Sequence, residues 1–448
     1  MNDMTTPIAD FVKKYASSDV SRFHMPGHKG KSFLGYEAFD ITEINGADVL
    51  GAPNGIIEES ELNATRLFGT AHTFYSTEGS TLSIKAMLAI IKKLKGNGQV
   101  KILAARNVHK AFVYACALLD IEAKWLYSKN FDHICSCNIT AEELDAQLKI
   151  SIPDAVYVTS PDYLGNILDI GSLANVCHKH GVPLLVDNAH GAYLAFLEQS
   201  EHPIALGADM CCDSAHKTLP VLTGGAYLHI SKNFPNFSCD EVRSVISLFA
   251  STSPSYLILQ SLDICNAYIE NGYRERLNEF VKKVRSIKLH LAERNFLRFD
   301  DNREELKIVI SKQKSSYSGY ELADVLSKFS IEPEFYDEDN LVLMLSPELS
   351  DNDLKKLLNA FSSLSVRTVT IKEVSTPVCK PEQKISMRDA IFTTTEIIPT
   401  KKALGRICAA PTVSCPPAVP IVISGELIGS AEFELLLKHG IKSIEVVK

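Results

Sequence analysis

The chain is 448 residues long, 46% hydrophobic and 22% charged, a globular composition that excludes disorder as its main state. Its 46 Lys and Arg stand against 54 Asp and Glu, a net charge of −8 without the global basicity that favours nucleic acid. At about 150 residues per domain the length calls for two to four structural units, and a core of that size needs neither disulfides nor structural metals.

Residues 1–55 are rich in Gly and Pro with little periodicity, as in Arg22-Phe-His-Met-Pro-Gly-His-Lys-Gly30 and Gly51-Ala-Pro-Asn-Gly55, and read as loop and arm. From about residue 58 short apolar strands alternate with helices. Strand-like segments are Thr73–Tyr75, Lys101–Ala105, Ala155–Thr159, Pro183–Asp187 and Asp209–Asp213; helical stretches cover 81–95, 109–119, 141–149 and 171–180. Strands spaced by helices predict βαβ units in a large, doubly wound, mainly parallel sheet. A charged helical stretch fills 270–295. A small α/β unit follows, with strands at Lys307–Ser311 and Leu341–Leu345 and helices at Gly319–Lys328 and Asp351–Ser362. After the proline linker Thr376–Pro381 a final segment holds Ser386–Ala390, the proline-rich Pro411–Pro420 and Ile421–Ile428. The expected division is an arm (1–55), a large domain (56–290), a small α/β domain (291–375) and a C-terminal α+β domain (376–448).

The 11 cysteines are scattered: Cys211 and Cys212 are adjacent, Cys135 and Cys137 lie closer than zinc spacing, and no further Cys or Cys/His pair sits at a matching distance. The expectation is free thiols and no metal. The start lacks a basic and an apolar leader region, and no apolar run approaches the roughly 20 residues of a membrane span, so a cytoplasmic location is expected.

In an open parallel sheet ligands bind beyond the carboxyl ends of the strands. Four strand ends here carry polar groups: Ser76–Thr81, Arg106–His109, Asp187–His190 and Asp213–Lys217. Each has an ordinary explanation, since Gly79-Ser80-Thr81 and Asp187 are standard helix-capping types and His109 and His190 are unexceptional histidines. Together they say more. Gly79 with two hydroxyls at a helix start suits a phosphate monoester. The segment matches neither GxxxxGK[ST] nor GxGxxG, which removes support for a nucleotide. Lys217 follows an apolar strand, where desolvation makes a nucleophilic amine. A phosphate cradle, a strand-end acid, a strand-end histidine and such a lysine fit pyridoxal 5'-phosphate, held by the lysine as a Schiff base with a carboxylate at the pyridine nitrogen.

These segments resemble the bacterial ornithine/lysine/arginine decarboxylases, fold type I pyridoxal-phosphate enzymes. The likeness runs from Arg22–Gly30 and Asp40–Ile56 through Gly79–Thr81, Arg106–Lys110, Thr159–Gly165, Val186–Ala192, Ser214–Pro220 and Ser251–Tyr256. It continues to Ala403–Arg406, Cys415–Pro420 and Gly425-Glu426. The resemblance implies a cofactor bound covalently to Lys217, with Asp187 at its ring nitrogen and His109 stacked on the ring. Ala189 and His190 would line its other side. Gly79, Ser80, Thr81 and Ser214 would hold the phosphate, with His216 beside it. Ser251 and Thr252 would come from the partner chain of a homodimer with shared sites. Glu426, with Asp48 of the arm as second candidate, would meet the distal cation of the substrate.

The sequence departs from the family pattern at Ser83-Ile84, Asn188, Ala215 and Ser424. These changes leave the cofactor contacts in place and the choice among arginine, lysine and ornithine open. Long members carry an N-terminal wing; the expectation here is a short form without it. The expected reaction is decarboxylation of a basic amino acid to its amine, feeding polyamine synthesis, with Lys217, His109 and Asp187 catalytic and Lys217 or a histidine returning the proton to Cα. The alternatives are another fold type I activity, an aminotransferase or a β-eliminating lyase, and a non-catalytic homologue.

Overall fold

The computed structural model describes residues 4–129, 133–234, 238–294, 303–365, 367, 380–411 and 418–448. Its strands are β1 (His72–Ser76), β2 (Val100–Ala105), β3 (Ile121–Leu126), β4 (Ala155–Thr159), β5 (Leu184–Asp187), β6 (Met210–Asp213), β7 (Ala226–Ile230), β8 (Lys307–Ser311), β9 (Phe335–Tyr336), β10 (Asn340–Met344), β11 (Thr395–Pro399) and β12 (Ser443–Val447). The seven-stranded sheet, mostly parallel, has the order β1-β7-β6-β5-β4-β2-β3, and two small sheets are ordered β8-β10-β9 and β11-β12. The chain forms two compact units, one of residues 1–102, 141–158 and 169–275, the other of 103–140, 159–168 and 276–448.

In the first unit β5 and β6 run parallel with Asp187 opposite Cys212, while β7 is antiparallel to both β6 and β1. Every residue of β1, β5, β6 and β7 is buried, the pattern of strands covered on both faces, which explains unbroken apolar runs in place of alternation. The helix Gly79–Lys95 buries Ile84, Met87, Leu88 and Ile91, one helical stripe. Each such side chain stabilises the fold by about 1.5–3 kcal/mol, and Met87→Ala would cost about 2–5 kcal/mol. The helix stops at Gly96, a residue at φ 68°. The expected arm also contains a helix, Pro7–Ala16, with proline in its first turn and Ile8, Ala9 and Val12 buried.

The second unit has antiparallel β8-β10-β9, with Val342 paired to Val309 and Phe335. Its helices Gly319–Lys328 and Asp351–Ser362 both open with capping boxes, Ser318 with Glu321 and Ser350 with Asp353. The C-terminal segment pairs β11 with β12 over a cluster that includes Cys408, Val422, Ile428, Leu436 and Val446. This unit is discontinuous in sequence because its contacts ignore chain order. Tyr163 Oη donates to Glu334 at 2.8 Å, Arg303 to the Leu164 carbonyl at 2.8 Å, and the Lys110 amide to the Ala418 carbonyl at 3.1 Å. Of the expected linker, residues 376–379 lie outside the described residues, as do Cys415, Pro416 and Pro417.

Candidate active site

In the first unit the functional side chains gather where β5 and β6 end. Asp187 closes β5 and is 3% exposed. Its Oδ2 accepts from Tyr157 Oη at 3.2 Å, and its Oδ1 accepts from the Ala189 amide at 3.2 Å and from the Cys212 thiol at 3.6 Å. Asn188, the next residue, donates to Asp213 Oδ1 at 2.6 Å and so ties the ends of the two strands together. Beyond β6 the turn Ser214–Lys217 begins a single helical turn, and the Lys217 amide donates to the Ser214 carbonyl at 3.0 Å. Lys217 is half-buried rather than enclosed, and its Nζ lies 3.2 Å from His190 Nε2. His216 Nδ1 meets the Gly225 carbonyl at 2.9 Å, and burial, with Lys217 adding to it, holds the imidazole below its ordinary value.

The Ser214 hydroxyl donates to that of Ser80 at 2.9 Å, which brings the start of the helix Gly79–Lys95 to the same strand ends. Gly79 has φ +69°, which glycine adopts without strain, and a Cβ built there would meet nothing within 4 Å. Its amide donates to the Gly224 carbonyl at 2.7 Å. The first-turn amides that follow have no carbonyl within the helix to bond, so the start of this 17-residue helix offers amides in the same turn as the hydroxyl-bearing residues Ser80 and Thr81. The donor set fits a phosphate monoester. The neighbouring carboxylate and lysine fit the pyridine nitrogen and aldehyde of pyridoxal phosphate.

Asp48 and Ser251 both make contacts within their own chain. Asp48 accepts four backbone amides: Val49 and Asn54 at Oδ1, 2.8 and 3.0 Å, and Gly55 and Ile57 at Oδ2, 2.9 and 3.0 Å. Both oxygens shape the turn before the helix Ile56–Phe68. Ser251 and Thr252 are exposed, and the Ser251 amide donates to Glu78 Oε1 of the same chain at 2.6 Å.

In the second unit His109 is the N-cap of the helix Lys110–Leu119; its Nδ1 accepts from the Ala111 amide at 3.1 Å, which leaves the ring proton of the neutral imidazole on Nε2. Glu426 is fully buried. Its Oε2 accepts from Arg106 at 3.1 Å and from the Ile423 amide at 2.7 Å, and Arg106 also binds the carbonyls of Pro420 and Ile421 at 3.1 Å. Burial raises the Glu426 carboxyl and Arg106 lowers it. Through Oε2 the carboxylate anchors the loop 420–426, while Oε1 is buried without a hydrogen-bond partner.

Sequence reasoning gave no role to Tyr157 or Glu78, and it placed Arg106 at a polar strand end without foreseeing its pairing with Glu426. The signal for Tyr157 was available, because a tyrosine inside the run Ala155–Thr159 must find an acceptor for its hydroxyl. Among the described residues no helix is long and apolar enough to cross a membrane.

The family model for Orn/Lys/Arg decarboxylase, major domain, matches residues 6–318. The chain is 30% identical to an arginine decarboxylase of Bacillus subtilis (strain 168) over 471 aligned positions, covering 98% of this chain and 94% of that protein. Among solved structures, a lysine decarboxylase of Francisella novicida superposes with a TM-score of 0.80 at 17% identity, over 100% of this chain and 82% of the other. The constitutive lysine decarboxylase of E. coli gives 0.79 at 17% identity, over 99% and 82%. These two show a shared fold, that of fold type I enzymes. The chain belongs to the Orn/Lys/Arg decarboxylase family and is, by that membership, an amino-acid decarboxylase.

Proposed function

We propose that the protein decarboxylates a basic amino acid (arginine, lysine or ornithine) with pyridoxal 5'-phosphate, releasing CO2 and the matching amine for polyamine synthesis. The observation that carries this reading is the convergence at one sheet edge of the Ser80–Ser214 hydroxyl pair, the Tyr157-held carboxylate of Asp187, and Lys217 against His190. When bound, the cofactor supplies an electron sink for the charge left at Cα as CO2 departs.

The chain's own groups do the rest. Ser80, Thr81 and Ser214 with the first-turn amides hold the phosphate. Asp187, kept in place by Tyr157, puts a negative charge at the ring nitrogen and favours its protonated form. Lys217 anchors the cofactor between turnovers. His190, at hydrogen-bonding distance from its Nζ, aims the amine and makes the pair a source for the proton that Cα must regain. For His109 the family likeness alone supports a stacking role. A cytoplasmic two-fold dimer, with Ser251 and Thr252 offered to the partner's site, completes the reading.

The deciding experiment incubates the purified chain and added pyridoxal phosphate with an equal mixture of arginine, lysine and ornithine, then identifies amines and CO2. One dominant diamine or agmatine with stoichiometric CO2 is expected. Product that forms only with a keto-acid acceptor would make the protein an aminotransferase. Cofactor bound at Lys217 without any turnover would make it a non-catalytic homologue.

A further inference from the structure

A second cluster of functional groups lies buried inside the first unit. Cys211 and Asp213 are two residues apart on β6 and therefore face the same way. The antiparallel register places His229 of β7 opposite Cys211, on that same face. The segment between β5 and β6 supplies His202 over the pair. All four are buried, with relative exposures of 1% for His202 and 0% for Cys211, Asp213 and His229.

Asp213 Oδ2 lies 3.0 Å from His202 Nε2 and 3.1 Å from His229 Nε2, and Cys211 Sγ lies 3.8 Å from His202 Nε2. One ligand atom from each residue falls within 4.8 Å of all the others. Metal–nitrogen and metal–oxygen bonds near 2.0–2.1 Å and a metal–sulfur bond near 2.3 Å make tetrahedral edges of roughly 3.2–3.7 Å, close to these separations. Two of the ligands also have the outer contacts that a metal site uses, while His202 Nδ1 is buried without a hydrogen-bond partner. His229 Nδ1 sits 2.9 Å from Thr73 Oγ1, and the other oxygen of Asp213 accepts from Asn188 at 2.6 Å.

We propose that His202, Cys211, Asp213 and His229 form a closed structural site for a divalent ion of the zinc class. Two nitrogens, one carboxylate oxygen and one thiolate are a zinc donor set, and four protein ligands leave no position for water or substrate. Charge closes as well. The carboxylate and the thiolate together cancel the dication, so that no net charge is buried, and the thiol proton leaves to solvent as the ion is bound during folding. The site ties β6 and β7 together directly beneath the turn that carries Lys217. Cysteine spacing gives no hint of it, because only one cysteine takes part and the other ligands lie up to 18 positions away in sequence order.

The competing account is a metal-free network in which one carboxylate oxygen accepts from two imidazoles and the thiol has no part. The full chain, carrying its own cofactor, separates the two when it is produced in medium supplemented with zinc and, in parallel, with cobalt(II). After gel filtration in the presence of a weak chelator, elemental analysis should find about one ion per chain. The cobalt form should absorb in the red, beyond the cofactor's own bands, as four-coordinate cobalt does. His202→Gln should cut the retained ion by roughly tenfold or more. Cys211→Ala should remove the thiolate-to-cobalt band and loosen retention. A chain that folds with no bound ion, shows no cobalt bands and melts at the same temperature with or without zinc overturns the proposal. So does an ion that both variants retain as fully as the unaltered chain. Should either variant fail to fold, the ion content and cobalt spectrum of the unaltered chain decide alone. None of these measurements reads turnover, so their outcome is independent of the decarboxylase reading.

Discussion

Asp187 and Glu426 are both buried acids, and their partners assign them different work. Asp187 is held by a phenol, an amide and a thiol, none of them cationic, so its negative charge is left for something else to match. Asp187→Asn keeps the volume and removes the charge; kcat should fall by about 10²–10³, the usual cost of deleting a preorganised electrostatic group. Tyr157→Phe removes only a neutral hydrogen bond worth about 0.5–1.5 kcal/mol and should cost roughly tenfold or less. Steady-state kinetics at saturating cofactor test that ordering, and wild-type kcat in Asp187→Asn would end the assignment. Glu426 already has Arg106. Removing one partner of a buried ion pair typically costs about 3–5 kcal/mol, so Glu426→Ala should lower the melting temperature markedly while KM for basic amino acids stays unchanged. A raised KM with unchanged melting would return Glu426 to the substrate. At this scale the positions of Asp187 and Lys217 were readable in the sequence, because Asp187 closes one apolar strand and Lys217 follows the end of the next. The saturation of Asp48 by four backbone amides was not, since an acid in a glycine-rich loop looks the same whether it binds ligand or its own turn.

Helices and strands follow their sequence signals closely, from Val100–Ala105 in the large sheet against an expected 101–105 to an identical span for the helix Asp351–Ser362 of the second unit. β7 escaped because five fully buried residues show no alternation, and its antiparallel direction depends on partners distant in sequence. The helix Pro7–Ala16 was missed because it was read together with the glycine- and proline-rich stretch that begins at Pro26, although Ile8, Phe11 and Val12 repeat at helical spacing behind Pro7. Its start is fixed by Asp263, whose Oδ2 accepts the Ala9 amide at 2.9 Å while Oδ1 accepts the Ser60 hydroxyl at 2.6 Å. Burial pushes the Asp263 carboxyl up to about 6, against a downward pull from those hydrogen bonds. An acid raised on folding contributes stability that is complete below its unfolded value near 4 and is lost as pH rises through about 6. Over that window wild type should lose on the order of 2–3 kcal/mol relative to Asp263→Asn, which cannot titrate. Denaturant midpoints of the two proteins from pH 4 to 7 are the measurement, and parallel curves would refute the shift.

At the scale of the whole molecule, the class of fold was legible because alternating strands and helices permit few topologies. The grouping into units was not, because segments 103–140 and 159–168 join residues beyond 276 through contacts that no local pattern announces. Assembly is the remaining question, and two features of the first unit bear on it. The arm exposes a run of large apolar side chains, Phe23 at 97%, Phe33 at 77% and Leu34 at 78% among them, which a folded protein leaves in water only where something covers it. The loop at Ser251 and Thr252 is exposed too, beside Glu78 at the start of the phosphate-type helix. Under the dimer proposed above, a second copy of the chain would account for both, with each site drawing Lys217 from one subunit and the hydroxyls of Ser251 and Thr252 from the other. The contact between Ser251 and its own Glu78 supports the opposite arrangement, in which the loop serves its own chain. Mixing two inactive proteins separates these. In a heterodimer of Lys217→Ala with Ser251→Trp, a shared-site dimer has one site with an intact lysine and an intact loop, and up to half of the normal activity should return. If each loop serves its own chain, neither site is complete and exchanged heterodimers stay inactive. Native mass spectrometry establishes that exchange has occurred, so silence in exchanged heterodimers would overturn the shared site rather than reflect a failure to mix.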